Sequence, residues 1–191
     1  ALFDFDGTIT KKDSFLEFIK FYNGRRSFIY GLILLSPILL LYRVGLIQNW
    51  KAKEILLTYF FKKEPFKKFC SKSTEFSSNI IPDLIKPKAL QTILEHLSNG
   101  HRVIIVSASF ETWLSDWCKK MNLELIGSRI EVRDGLVTGK IEGKNCHGAE
   151  KVKRLNEYLD IKQYPEIYAY GDSSGDLPLL NLANHRFYRF F

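Results

Sequence analysis

Asp4-Phe5-Asp6-Gly7-Thr8 near the start of the chain and Gly171-Asp172-Ser173-Ser174-Gly175-Asp176 near its end each set two carboxylates beside a glycine. Each follows a short apolar run, Ala1-Leu2-Phe3 in one case and Ile167-Tyr168-Ala169-Tyr170 in the other. Runs of this kind read as buried parallel strands, and in open α/β sheets ligands bind beyond the carboxyl ends of such strands. Four acids then meet at one sheet edge. They repel one another unless a cation sits among them, and hard oxygen ligands of this type suit Mg²⁺. The chemistry such an edge serves is the handling of a phosphate group through that metal. Either acidic pair alone is a common turn former, because Asp side chains bond nearby backbone groups; the presence of both points to a site. A calcium loop of the EF-hand type is excluded, since Gly7 comes too early and no Glu closes the loop.

Two further segments fit the same edge. Arg102-Val103-Ile104-Ile105-Val106 is another buried-strand run, and it leads into Ser107-Ala108-Ser109, a hydroxyl followed by a small residue whose N–H can approach an anion. Gly148-Ala149-Glu150-Lys151 opens an amphipathic run through Val152, Leu155, Tyr158 and Leu159. A cation is unfavourable near a helix start. Lys151 is better explained by an anionic ligand that the helix end and the ammonium hold together.

In this order the residues resemble the four motifs of the haloacid dehalogenase superfamily of phosphohydrolases: Asp-x-Asp-Gly-Thr at Asp4 to Thr8, the strand-end Ser107, Lys151, and Gly-Asp-x-x-x-Asp at Asp172 and Asp176. The resemblance spans most of the chain. It implies that Asp4 is the nucleophile that becomes an aspartyl phosphate, and that Asp6 protonates the leaving oxygen and then activates water. It implies a Mg²⁺ held by Asp4, the backbone carbonyl of Asp6 and Asp172, with Asp176 in the outer shell. Ser107, Ala108, Gly7 and Lys151 would bind the phosphoryl oxygens. The residue types make sense on chemical grounds as well. A carboxylate nucleophile splits one difficult displacement into two easier ones, while metal and lysine offset the charge spread over the transferring oxygens. Asp6 must carry a proton when it acts as an acid, and a neighbouring carboxylate raises its pKa towards that role.

The rest of the chain must position these groups. Helical periodicity over residues 14–22 places Phe15, Phe18, Ile19 and Tyr22 on one face, and Asn23-Gly24 stops it. An apolar run over 28–42 follows, then amphipathic helices near 51–61 and 66–80, and a helix over 83–98 before the strand that ends at Ser107. Downstream come a helix over 111–120, a strand over 123–126, a β-hairpin over 130–141 about Asp134-Gly135, a helix from about Gly148, a strand over 166–170 and a helix over 177–182. Alternating βα units of this kind predict a doubly wound parallel sheet with helices on both faces. The expected organisation is an α/β core of residues 1–12 and 83–191, with an all-helical cap of residues 13–82 inserted after the first strand.

With 191 residues of which 46% are apolar, the chain buries a real core and is not a disordered binding segment. The absence of a starting Met and strand-like residues at both ends suggest a chain trimmed from a slightly longer protein. Cys70, Cys118 and Cys146 are odd in number and widely spaced, which fits neither a disulfide framework nor a zinc pattern and favours a reducing, cytoplasmic compartment. Cys146-His147 lacks the base pattern of a cysteine nucleophile. His96, His101 and His185 have no metal-ligand spacing.

The apolar run is the second informative feature. Its roughly 15 residues fall short of the ~20 that cross a bilayer, and Pro37 disfavours one straight helix. A small cap has little interior for Phe28, Ile29, Leu32, Ile33, Leu34, Leu35, Ile38, Leu39, Leu40 and Leu41, so a helical hairpin or interfacial segment fits better. Arg25, Arg26 and Arg43 border the run, and Lys51, Lys53, Lys62, Lys63, Lys67 and Lys68 follow it, supplying much of the net charge of +7. Basic residues beside an apolar segment suit an anionic membrane surface. Nucleic acid is not expected as a partner, because no binding motif accompanies the charge.

The cap position resembles that of the phosphoserine-phosphatase-like branch. The apolar cap, Asp13-Ser14-Phe15 and the loop Cys146-His147-Gly148-Ala149-Glu150-Lys151 are similar to the phosphatidylglycerophosphatase C group. That similarity implies removal of a terminal phosphate from a phosphatidylglycerophosphate-type lipid by a protein peripheral to or anchored at the inner face of a bacterial inner membrane. The substrate-reading Glu of phosphoserine phosphatases is not evident over residues 9–12, which argues against phosphoserine. A soluble phosphatase of small metabolites is the alternative within the class. A non-enzymatic membrane-docking module is the alternative outside it, and the intact set Asp4, Asp6, Lys151, Asp172 and Asp176 argues against that.

Overall fold

A computed structural model describes the chain from Ala1 to Phe191. Strand β1 (Leu2–Phe3) is followed by five helices, α1 (Ser14–Leu34), α2 (Ser36–Arg43), α3 (Asn49–Phe61), α4 (Phe66–Asn79) and α5 (Ile81–Leu84), before α6 (Pro87–Ser98) returns to β2 (Ile104–Phe110). Then come α7 (Glu111–Lys120), the hairpin of β3 (Glu124–Arg133) and β4 (Leu136–Glu142), α8 (Ala149–Tyr158), β5 (Tyr168–Gly171), α9 (Leu177–Leu180) and β6 (His185–Tyr188). The strands form one sheet in the order β4-β3-β2-β1-β5-β6, parallel except for β4, which runs antiparallel to β3. The mixed α/β fold with a mostly parallel sheet is thus the one the alternating pattern predicts.

β1 sits at the centre, Leu2 and Phe3 pairing with Ile104 and Ile105 on one side and with Ala169 and Tyr170 on the other. Covered on both faces, it is apolar at every position. The chain winds outward from β1 through β2 and β3, then crosses back to β5 on its other side. The crevice beyond the carboxyl ends of β1 and β5 is therefore the switch point of the sheet, where doubly wound folds bind ligands.

Strand alternation divides the core. Leu2, Ile104, Val106 and Ala169 pack with Leu155 of α8 and with Leu179 and Leu180 around α9. Phe3, Ile105 and Tyr170 belong to the larger cluster on the opposite face, with Ala89 and Ile93 of α6. This larger cluster runs on without a break into the helical insertion: Phe18 stacks on Trp113 of α7 with ring centroids 4.6 Å apart, and Phe61 and Phe69 join it. The hairpin grips the insertion as well, since Lys63 N–H donates to the Val137 carbonyl and Phe66 N–H to the Gly135 carbonyl, both at 2.8 Å. Short helices gain most of their stability from such packing rather than from propensity.

Several elements depart from the sequence expectation. Gly24 breaks the helix geometry at φ 78° and ψ 156°, as Asn23-Gly24 predicts, yet the helical path resumes and runs on to Leu34. The continuation is held by a close crossing with α3, where a Cβ on Gly31 would lie 2.3 Å from the Phe60 ring. The apolar run is two helices, α1 and α2, bent by 65°. The expected helix over 83–98 is split, because Pro87 keeps Lys86 extended at φ −72° and ψ 129°, so that α6 starts at Pro87 and α5 precedes it. β2 continues past Ser107 to Phe110, and the expected strand over 123–126 is continuous with the first arm of the hairpin. β6 overlaps the strand-like residues read over 187–191 but begins earlier, at His185, and ends at Tyr188.

Candidate active site

Asp4 leaves β1 at its carboxyl end, its N–H bonded to the Tyr170 carbonyl of β5 at 3.0 Å. Lys151, in the first turn of α8, is 1% exposed and reaches across the switch point. Its Nζ lies 2.5 Å from Asp4 Oδ1 and 2.7 Å from Asp176 Oδ1. A buried ammonium costs several kcal/mol unless paired, and here two carboxylates flank it.

Asp176 is fully engaged. Besides Lys151 on Oδ1, its Oδ2 accepts the backbone N–H groups of Asp172 and Ser173 at 3.2 and 3.0 Å and the Ser173 hydroxyl at 2.7 Å. Asp4 Oδ2 and Asp172 Oδ1 are not: both lie 3.1 Å from the Thr8 hydroxyl, which has one proton to give. Two carboxylates facing a single shared donor leave negative charge uncompensated. Carboxylate oxygens of Asp4, Asp172 and Asp176 all lie within 4.8 Å of one another, and this all-oxygen set fits a hard divalent cation such as Mg²⁺. Gly7 brings its loop against this cluster at φ +81°, and a Cβ there would lie 2.5 Å from Asp172 Oδ2. Lys86 holds the loop from the other side by donating to the Gly7 carbonyl.

Asp6 is turned elsewhere. Its Oδ1 accepts the Ser14 N–H at the start of α1 at 2.6 Å, and its Oδ2 accepts the Ser109 hydroxyl. The Ser14 and Ser109 hydroxyls are 2.9 Å apart, and the Trp113 indole N–H donates to Ser14 Oγ at 3.4 Å. The Asp6 side chain is therefore outside the carboxylate cluster. Ser107 is buried, with its hydroxyl accepting the Ser109 N–H at 3.0 Å, and the Ala108 carbonyl accepts Lys53 Nζ of α3 at 2.9 Å.

Charge and burial set the protonation. Burial pulls Lys151 down, but Asp4 and Asp176 outweigh it and hold the ammonium above its ordinary range. Burial pushes Asp4 up, opposed by Lys151 and reinforced by Asp176. Asp176 feels the same burial, yet Lys151 and Ser173 bring it below the usual carboxylate range. Burial, with Asp13 nearby, pushes Asp6 up to about 7. Lys53 is lowered by burial against the pull of Asp13, Asp6 and Asp4.

The structure thus gathers Asp4, Gly7, Lys151, Asp172 and Asp176 at one point, sets Asp6 on the side facing the insertion, and puts Ser107 and Ala108 at the neighbouring strand. Sequence reading did not single out Ser14, Lys53, Lys86 or Ser109 as site residues. Ser109 had a signal, its place two residues after Ser107; nothing in the sequence distinguishes Lys53 or Lys86 from the other lysines. Cys146 is buried, and burial pushes its thiol up to about 11, so it is no nucleophile.

Fold and site define a hydrolase with a doubly wound α/β core and an acidic centre at the switch point of its sheet. The chain belongs to the haloacid dehalogenase-like hydrolases, whose family pattern matches residues 1–181. It is 33% identical over 194 aligned positions to the protein CicA of Caulobacter vibrioides, covering 99% of this chain and 85% of that one. A histidinol-phosphatase of Neisseria meningitidis is 29% identical over 117 positions, 58% of this chain and 53% of that one. Among solved structures, a protein of unknown function from Bordetella pertussis superimposes with a TM-score of 0.82 at 25% identity, over 95% of this chain and 85% of that one.

Proposed function

We propose that this chain is a Mg²⁺-dependent phosphomonoesterase acting through an aspartyl phosphate on Asp4, with residues 13–82 serving as a cap over the core of residues 1–12 and 83–191. The observation that carries this reading is the buried Lys151 bridge between Asp4 and Asp176, beside the uncompensated oxygens of Asp4 and Asp172. Lys151 orients Asp4 and neutralises one of its oxygens, while the other faces the place where a phosphoryl group would dock. Mg²⁺, held by Asp4, Asp172 and the Asp6 carbonyl, would supply positive charge to the transferring oxygens. Ser107, the backbone at Gly7 and Ala108, and Lys151 bind those oxygens. Asp6, with its pKa near neutrality, gives a proton to the leaving oxygen and takes one from water in the second step.

As substrate we propose a membrane phospholipid bearing a terminal phosphate, of the phosphatidylglycerophosphate type, met at an anionic membrane surface. What supports this is the arm made by the second half of α1 and by α2. Ile33, Leu34, Leu40 and Leu46 are 55–75% exposed, while Leu35 is buried and Phe28, Leu32, Ile38 and Leu39 pack partly on the core. One side of the arm holds it to the protein and the other is left open, with exposed Arg25, Arg26 and Arg43 at its borders. No single helix is long and apolar enough to cross a membrane, and only the bent pair of α1 and α2 meets that measure together. An amphipathic arm lying in the interface satisfies both facts.

A second reading, a phosphatase of small soluble metabolites, is supported by the likeness to a histidinol-phosphatase. Turnover of detergent-dispersed phosphatidylglycerophosphate beside histidinol phosphate and phosphoserine separates the two. The lipid reading expects the lipid to have the highest kcat/KM and chelation of Mg²⁺ to abolish all turnover. Preference for a soluble phosphate overturns it, and full activity in chelator overturns the metal assignment.

A further inference from the structure

Between the start of α3 and the loop leading into α8 lies a cleft of about 770 Å³, and its size is that of a site for a small organic group. Gln48, Asn49 and Trp50 line it from the insertion, and Lys144, Asn145 and His147 from the core. The acids along it are already engaged: Glu54 accepts the Ile141 N–H at 3.0 Å, and Glu150 pairs with Arg154 at 3.2 Å. What the cleft offers is mostly neutral hydrogen-bonding capacity.

Its walls are fixed across the seam. Asn145 Nδ2 donates to Asn49 Oδ1 at 3.0 Å, Asn145 Oδ1 accepts the Ser128 hydroxyl at 2.9 Å, and Asn49 Nδ2 donates to the Tyr42 hydroxyl at 3.0 Å. Through Tyr42 the outer end meets the apolar arm. At the inner end the His147 ring lies over Gly175, where a Cβ would be 2.3 Å from Nε2, and Gly175 adjoins Asp176. Partial burial of the ring and the charges of Lys151 and Lys53 lower the His147 pKa, which favours the neutral imidazole, able both to donate and to accept. The ring makes no hydrogen bond within the chain. Gln48 has capacity to spare too, since only its Oε1 is used, by the Trp50 indole N–H at 2.5 Å.

We propose that this cleft receives the alcohol portion of the phosphomonoester and takes a hydroxyl-bearing polyol, with His147 and Gln48 as specificity-determining side chains. Hydroxyls match neutral amides and an imidazole, whereas an acyl chain would offer them no hydrogen-bond partner. His147 sets one end of the cleft beside the loop that carries Asp176, and the Asn49–Tyr42 hydrogen bond sets the other beside the arm. A polyol within it would hold the phosphate at one end and present acyl chains to the membrane at the other. The inference rests on the phosphomonoesterase reading and deepens it.

The test compares sn-glycerol 3-phosphate with para-nitrophenyl phosphate, whose aromatic leaving group carries no hydroxyl chain. In His147→Ala and in Gln48→Ala, the ratio of kcat/KM for the glycerol ester to that for the aryl ester should fall about threefold to tenfold, the loss of one hydrogen bond, and should do so through KM. His147→Gln, which keeps a neutral donor and acceptor, should recover part of the ratio. Both side chains are exposed, so the fold should tolerate these changes. An unchanged ratio in both variants, or equal losses on both substrates, would overturn the assignment. A wild-type chain inactive on both esters would sink the phosphomonoesterase reading itself, and the subsite with it.

Discussion

The carboxyl edge of the sheet and the apolar arm are built on opposite terms. At the edge a buried lysine is shared by Asp4 and Asp176, a threonine hydroxyl by Asp4 and Asp172, and almost every donor is spent within the chain. Along the arm, Ile33, Leu34 and Leu40 are more than half exposed to solvent. The edge is nearly complete and lacks only positive charge between Asp4 and Asp172. The arm lacks a whole contact surface. One region bears on the chemistry, and the other on the proposed membrane contact.

The largest effects should come from the edge. Asp4→Asn should lower phosphatase kcat by on the order of 10⁴-fold or more in a steady-state assay, because an amide is a poor nucleophile. Its thermal unfolding should stay cooperative. Lys151→Met should destabilise the fold by about 3–5 kcal/mol in denaturant titration, since Asp4 and Asp176 are left buried without their cation. Adding Asp176→Asn to that variant should restore part of the loss. If Lys151→Met is as stable as the wild type, the bridge is not what organises the edge.

The arm should answer differently. Leu34→Glu with Leu40→Glu should weaken sedimentation with anionic vesicles, because a charge in the acyl region costs about 2.5–3.5 kcal/mol, yet leave stability within about 0.5 kcal/mol, as exposed substitutions do. Leu35→Glu, on a buried side chain of the same segment, should unfold the protein at lower temperature. If the exposed pair destabilises as much as Leu35→Glu, the arm is core and the contrast between the regions fails.

A separate effect concerns pH. Asp6 is raised in the fold from an ordinary 3.8 to about 7, by burial first and by Asp13 second, so ionising it works against folding. Its contribution is fully present below pH 3.8, falls as pH rises through about 7, and is gone above that. Asp6→Asn should flatten this part of the melting temperature against pH. An unaltered slope would place the titration on another group.

Much of the edge was legible because Asp4, Ser107, Asp172 and Asp176 follow apolar strand runs, Lys151 opens an amphipathic helix, and their order resembles the motifs of one family. Helix α7 was read at its observed bounds for the same reason, Glu111 opening and Lys119 and Lys120 closing it. The rest was hidden by long-range geometry. No local pattern tells that Lys53, fifty-five residues from Ala108, donates to its carbonyl, or that Asp6 turns from its neighbour Asp4 towards Ser14 and Ser109. The arm was half legible. Its hydropathy predicted an apolar segment that Pro37 would break, but only packing reveals that Leu35 goes inside while Leu34 stays out.

The central claim is that Asp4 carries the phosphoryl group, and the most direct test is to trap it. Asp6→Asn, impaired in activating water, should be mixed with Mg²⁺ and para-nitrophenyl phosphate, quenched in acid and digested for mass spectrometry. The account predicts a phosphate on the peptide containing Asp4, absent when Asp4→Asn is added. Phosphate on Ser107 or another side chain, or turnover in Asp4→Asn equal to that of the wild type, would contradict it.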